Sequence, residues 1–285
     1  MKTRHFKNAA RSWAACRHVD SVVITKLRKS LIRIRVVAMA YGKWLKWKAR
    51  KRFRRDFKRF SILSGATKKR FSLEWADRFP CLGEDTSSTP IDRHYVYHTA
   101  WAARILAKMR PVEHVDISSY LYFSTLVSAF LPVRFYDYRP VELGLDNLEA
   151  DFANLVELPF ASGSIESLSC MHVVEHIGLG RYGDPLDPDG DRKAISELRR
   201  VLAPGGRLLF VVPIGQPKIE FNAHRIYGYD QIIEYFDGLV LEEFALVPDS
   251  AEQGGLIRGA PPALSHEQKY GCGCFLFRRQ DEQVV

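Results

Sequence analysis

The chain has 285 residues, 46% of them apolar and 26% charged, with 42 Lys and Arg against 33 Asp and Glu for a net charge of +9. That length and composition describe a globular chain with one sizeable domain and an appendage. No stretch of 18 apolar residues is present, so no membrane-spanning helix is expected, and five cysteines without C-x-x-C or framework spacing exclude a disulfide scaffold and fit a reducing compartment.

Residues 1–70 hold 23 of the basic residues and only two acids, Asp20 and Asp56, so the remainder of the chain is mildly acidic. This segment reads as a basic helical extension. Leu27, Leu31, Ile34, Val37 and Ala38 fall near one face, and Trp44, Trp47, Phe53, Phe57 and Phe60 interleave with Lys and Arg. Apolar anchors beside cations suit an anionic membrane surface; nucleic acid and a merely solvated helix are the other readings. Its apolar runs are broken by charge, which argues against a signal peptide. Residues 71–91 read as a linker rich in turn residues.

From Asp92 onward helices and strands alternate. A helix spans residues 92–110 and short strands lie near 112–117, 133–138 and 148–152. The stretch SIESLSCMHVV carries a buried strand, GDRKAISELRRVLA a helix, GRLLFVVP a strand and YDQIIEYFDGL a helix, and two strands close the chain. Such alternation predicts an α/β domain over residues 92–280, its sheet mostly parallel with helices on both faces. The two closing strands, with no helix between them, predict a terminal antiparallel hairpin. Cys272 and Cys274, at i and i+2 of the last strand, read as small buried residues rather than metal ligands.

Open sheets of this kind bind ligands at the carboxyl ends of their strands. After the first strand, Asp116-Ile117-Ser118-Ser119 offers an acid and small hydroxyl residues where a nucleotide fold has glycines. Asp137, ending the second strand, stands where an acid can accept ribose hydroxyls. His172 to His176, HVVEH, matches a zinc-protease pattern that needs a long helix. It follows a buried strand and precedes Gly178 and Gly180, so no metal is expected there. The run DPLDPDGD lacks calcium-loop order and reads as a polar loop closed by Asp189 or Asp191 as a helix cap.

Leu158-Pro159-Phe160, the strand that ends in VVEH, and the Pro204-Gly205-Gly206 turn before the next buried strand together resemble class I S-adenosylmethionine-dependent methyltransferases. The resemblance covers residues 92–280 and extends to bacterial methyltransferase-like domains associated with surface glycans. It implies a Rossmann-like fold with a seven-stranded sheet and S-adenosylmethionine as cofactor. It implies cofactor contacts from Asp116, Ser118, Ser119, Asp137, Asn154, Leu155 and His172, with the Asn154 amide taking the place of an acid at the adenine. His172, Glu175, His176 and His224 are the implied catalytic candidates, and Arg225 and Tyr227 the implied grips on the acceptor. The implied activity is methyl transfer to an oxygen or nitrogen, on a glycan or other small acceptor, in the cytoplasm or at the inner membrane surface. A catalytically degenerate scaffold module at the membrane and a nucleic-acid methyltransferase are the alternatives.

Overall fold

The computed structural model describes residues 37–65 and 71–281. By its internal contacts the chain divides into two units, Met1–Pro90 and Ile91–Val285. In the first, residues 37–65 form one helix, α1; the rest of the expected basic extension, residues 1–36 and 66–70, lies outside the described residues. Phe53 and Phe57 of α1 pack on Trp75 of a short 3-10 turn, with ring centroids 6.2 and 4.9 Å away. Arg52 meets Asp85 at 2.7 Å. Trp44, Trp47, Phe60, Ile62 and Leu63 remain exposed. Among the described residues no helix is long and apolar enough to cross a membrane.

The second unit is a Rossmann-like α/β domain. Its elements are α2 (Arg93–Met109), β1 (His114–Ile117), α3 (Leu121–Val127), β2 (Val133–Asp137), β3 (Leu148–Phe152), β4 (Ile165–Met171), α4 (Gly190–Val201) and β5 (Leu202–Ile214). There follow β6 (Lys218–Glu220), β7 (His224–Ile226), α5 (Tyr229–Tyr235), β8 (Leu239–Val247), β9 (Ile257–Arg258), α6 (Pro262–His266) and β10 (Gly271–Arg279). The main sheet runs β3-β2-β1-β4-β5-β10-β8-β9. Strands β1 to β5 are parallel, and β10 inserts antiparallel between β5 and β8. Eight strands are present rather than the seven expected, because Ile257 and Arg258 add a short edge to β8. The expected closing hairpin is also less direct: β8 and β10 pair, but β9 and α6 intervene.

The alternation along β5 explains why both faces are covered. Leu208, Phe210, Val212 and Ile214 face α4 and α5, packing with Ile195, Leu198, Val201 and Ile232. Leu209 and Val211 face α2 and α3, packing with Trp101, Ile105, Phe123 and Val127. Successive strand residues point to opposite faces, so a continuous apolar run is what a doubly covered strand requires. At the start of β5, Gly205 takes φ +72, and a Cβ on Gly206 would press on the Ala203 and Ile165 carbonyl oxygens. The turn thereby shifts register, so that Ile165 pairs with Leu202 but Ser167 with Arg207. Helix α2 opens with the Asp92 side chain accepting from Tyr95 N at 3.3 Å.

Candidate functional site

Two adjoining cavities lie at the carboxyl ends of the parallel strands, of about 540 and 210 Å³. They share Ser118 and Tyr182 in their walls. A cleft of about 600 Å³ opens at the other end of the sheet, around Pro204 and Glu166. Its main charges pair among themselves, Arg207 with Glu242 and Arg258 with Glu243. It lies on the wrong side of a parallel sheet for ligand chemistry.

The loop after β1 makes the floor between the two cavities. Ser118 adopts φ +54, a left-handed conformation usually left to glycine. Its N–H donates to the Tyr136 carbonyl at 2.7 Å and its hydroxyl to the same oxygen at 3.1 Å. The serine thus reaches the turn at some steric cost, with its own hydroxyl bond as compensation. Ser119 lines the larger cavity while its Oγ accepts from Met171 N at 3.0 Å. Asp116 faces the other way. It is fully buried, its carboxylate accepts from the hydroxyls of Ser124 and Ser169, and burial raises its pKa. The expectation of a cofactor contact from Asp116 is therefore corrected: it braces the loop from beneath.

The smaller cavity is walled by Ala153, Asn154, Leu155 and Val156 after β3, with Tyr138 and Ile177 across from them. Asn154 Oδ1 accepts from Val156 N at 3.3 Å, which fixes the amide at the edge of an apolar slot. Asp137 lines neither cavity. Its carboxylate closes a turn by accepting from Arg139 N at 2.7 Å, and the neighbouring Tyr138 takes the wall position instead.

The larger cavity holds the ionisable groups. HVVEH does not form the long helix of a zinc protease; Val174–His176 is a single 3-10 turn, and His172 sits at φ +58. His172 Nδ1 donates to Glu175 Oε1 at 2.8 Å, both side chains being almost wholly buried. Burial pushes His172 down to about 4 and Glu175 up to about 7. The second carboxylate oxygen, Glu175 Oε2, is buried without a hydrogen-bond partner. His176 Nδ1 lies 2.6 Å from the Ala223 carbonyl, which favours a proton on Nδ1, and 3.2 Å from the Arg181 guanidinium, which disfavours one; the shorter contact outweighs the longer. Arg181 also donates to that carbonyl, at 3.0 Å. His176 Nε2 is left as a lone pair, 3.8 Å from Glu175 Oε1.

The segment after β5 folds as an antiparallel ribbon, β6 with β7. Strand alternation sends neighbours to opposite sides. His224 lines the larger cavity, its ring 4.9 Å from that of Tyr270. Arg225 turns away and is buried, donating to the carbonyls of Ile177 at 2.6 Å and Pro188 at 3.2 Å and meeting Asp191 at 3.5 Å. The Tyr227 hydroxyl donates to Asp191 Oδ2 at 2.9 Å. Arg225 and Tyr227 are therefore corrected from acceptor grips to a clamp on the loop between β4 and α4. Asp191 anchors that clamp, and Asp189 takes the expected N-cap position of α4, its side chain meeting Arg192 at 3.6 Å rather than making a cap hydrogen bond.

Helix α2 brings side chains that motif reading missed. Asp92, His94 and Tyr95 line the larger cavity, with Tyr120, Arg181 and Tyr270. The His94 ring lies parallel to that of His172, centroids 5.3 Å apart, and to that of Tyr270, 4.9 Å apart. His94 and His98, four apart on a helix, share a face, and that spacing was the available signal. Burial lowers the pKa of both, His94 to about 4.

The donor set suits a nucleoside joined to an amino acid. An apolar slot edged by an amide takes a purine, Ser118 and Ser119 present the close backbone, and the unpartnered Glu175 oxygen can accept from an ammonium group.

A family model described as a Caenorhabditis protein of unknown function, DUF268, matches residues 149–245. No curated protein matches the chain in sequence. Among solved structures, N-methyltransferase NodS from Bradyrhizobium japonicum, in complex with S-adenosylhomocysteine, is 15% identical with a TM-score of 0.43, covering 64% of this chain and 85% of its own. A SAM-dependent methyltransferase from Methanosarcina mazei is 14% identical with a TM-score of 0.42, covering 62% and 98%. The 4+2 cyclase SpnF is 14% identical with a TM-score of 0.46, covering 65% and 81%.

Proposed function

We propose that the chain is an S-adenosylmethionine-dependent methyltransferase acting on an oxygen or nitrogen acceptor. The observation that carries the reading is the pair of adjoining cavities at the carboxyl ends of β1, β3 and β4. Ser118, Asn154, Leu155 and Val156 would hold the nucleoside, and Ser119 and Glu175 the amino-acid end. When bound, the cofactor supplies an electrophilic methyl group on a sulfonium. The protein aligns the acceptor in the larger cavity and takes its proton. His176 is the base in this reading, because the shorter of its two Nδ1 contacts, to the Ala223 carbonyl, favours the tautomer with Nε2 unprotonated.

Calorimetric titration separates this enzyme from a degenerate scaffold. Micromolar binding of S-adenosylmethionine is expected, and Asn154→Ala should weaken it about tenfold, the worth of one hydrogen bond. Absence of heat at millimolar cofactor, with the protein folded, would end the proposal.

For α1 we propose contact with an anionic membrane surface. Exposed Trp44, Trp47, Phe60, Ile62 and Leu63 stand among cations, and Lys48 and Lys51 lie over the rings of Trp44 and Trp47. The full chain should sediment with vesicles containing anionic lipid and stay in solution with zwitterionic ones. Equal behaviour with both would refute the contact.

A further inference from the structure

One cluster, two of whose members line the larger cavity, has no part in the methyl transfer just described. One nitrogen of His94, one nitrogen of His172 and Cys272 Sγ all lie within 4.8 Å of one another. Three remote segments supply them: the first turn of α2, the loop after β4, and the start of β10. Cys272 comes beside His172 because β10 inserts next to β5, whose Val211 carbonyl accepts from His172 N.

The outer contacts of the two imidazoles are those of metal ligands. A coordinating histidine nearly always donates its other ring N–H to a carboxylate or a backbone carbonyl. His172 Nδ1 donates to Glu175 Oε1, leaving Nε2 as the lone pair 3.5 Å from Cys272 Sγ. His94 Nε2 lies 3.1 Å from the Tyr270 carbonyl and is its donor, leaving Nδ1 as the lone pair. Tetrahedral zinc with Zn–N about 2.0–2.1 Å and Zn–S about 2.3 Å sets nitrogen and sulfur about 3.5 Å apart. The His172–Cys272 pair already has that spacing. His94, within 4.8 Å of both, must close in and tilt from its stacked position, since Zn–N bonds lie in the imidazole plane. It is the ligand able to do so, being only partly buried on the first turn of a helix. Beside the cluster, His98 Nε2 is buried without a partner, its ring 5.1 Å from that of His172.

We propose that His94, His172 and Cys272 bind one zinc ion in the wall of the larger cavity, with Glu175 orienting His172 and a fourth position left for water or acceptor. Binding releases the Cys272 proton to solvent. The thiolate and the Glu175 carboxylate together match the charge of the divalent ion, so the buried site is neutral. A nitrogen and sulfur donor set favours zinc over magnesium or calcium. An open fourth position on zinc would lower the pKa of a bound hydroxyl or thiol; this last role alone rests on the methyltransferase reading. The H-x-x-E-H pattern pairs His172 with His176, whereas here His172 pairs with residues 78 positions before and 100 after it.

Metal content and spectroscopy test the site without any cofactor. The full chain, purified without chelator, should carry one zinc per molecule by mass spectrometry. After exchange with cobalt it should show an intense near-ultraviolet thiolate-to-cobalt band. Cys272→Ser should remove the band, and Glu175→Gln should weaken zinc binding 10- to 100-fold. Circular dichroism establishes that each variant is folded. Folded wild-type protein that neither contains zinc nor takes up added zinc or cobalt would overturn the proposal, whatever the cofactor titration shows. A band that survives in Cys272→Ser would place the ligand elsewhere and also overturn it, and stoichiometric iron or copper would overturn the zinc assignment.

Discussion

Arg225→Met should lower thermal stability by about 10 °C and leave no folded population with a selectively raised acceptor KM. The guanidinium is buried together with Asp191, 3.5 Å away, and both side chains are about 6% exposed. Removing one partner of such a pair strands the other charge, which costs about 3–5 kcal/mol. In a domain of this size each kcal/mol moves the midpoint by about 2–4 °C. The Ile177 and Pro188 carbonyls lose their donor in the same step, and with it the loop that carries Gly178 is released. Gly178 cannot restore that loop by another route: it sits at φ +80, with the Asp187 carbonyl where a Cβ would lie. Arg225→Lys keeps the charge but not the forked geometry and should fall between the two proteins. Tyr227→Phe removes one hydrogen bond to Asp191 and should cost about 1 kcal/mol. Calorimetric melting of the three variants decides the matter. An Arg225→Met protein with unchanged melting and a raised KM would return Arg225 to the acceptor site.

The misplacement of Arg225 shows where sequence reading stops. Apolar periodicity located β1, β4, β5 and α4, because a strand covered on both faces must be apolar throughout. The glycine-rich turn at the start of β5 was equally visible, since only a left-handed or Cβ-free backbone fits there. A residue type does not say which way its side chain points. His224 and Arg225 are adjacent polar residues suited to a ligand, and only the pairing of β6 with β7 sends one to the cavity and the other to the core. Asp116 was misjudged for the same reason. An acid at the end of β1 can face a cofactor or the core, and the hydroxyls of Ser124 and Ser169, 8 and 53 residues away, decided for the core.

The cavity wall supplied by α2 was hidden by distance. His94 faces His172 across 78 residues and Cys272 reaches it from 100 residues on, so no local motif joins them. HVVEH was legible as a strand-end loop, and that context alone removed the helical zinc reading. It could not show that Glu175 would stand between His172 and His176, touching both.

His176→Ala should reduce turnover by 10²- to 10⁴-fold while cofactor affinity and melting temperature stay near those of the unmodified protein. That range is what a positioned base contributes. The same residue should set the acid limb of the pH profile. Burial lowers its pKa, and the Arg181 cation lowers it further, while Glu175 and the Ala223 carbonyl pull it back up. His172 lowers it as well, and the His224 and Tyr182 rings stand near it, with centroids 6.4 and 5.7 Å away. A base works unprotonated, so activity should rise with pH and pass its midpoint below the ordinary histidine value of 6.5. Removing the neighbouring cation in Arg181→Ala should move that midpoint upward, because imidazolium then forms more easily. In His176→Ala the limb should vanish rather than move. A limb that persists in His176→Ala would assign the base to another group in the cavity. Loss of cofactor binding in that variant would instead place His176 among the cofactor's holders, where neither its held tautomer nor its shifted pKa would be needed.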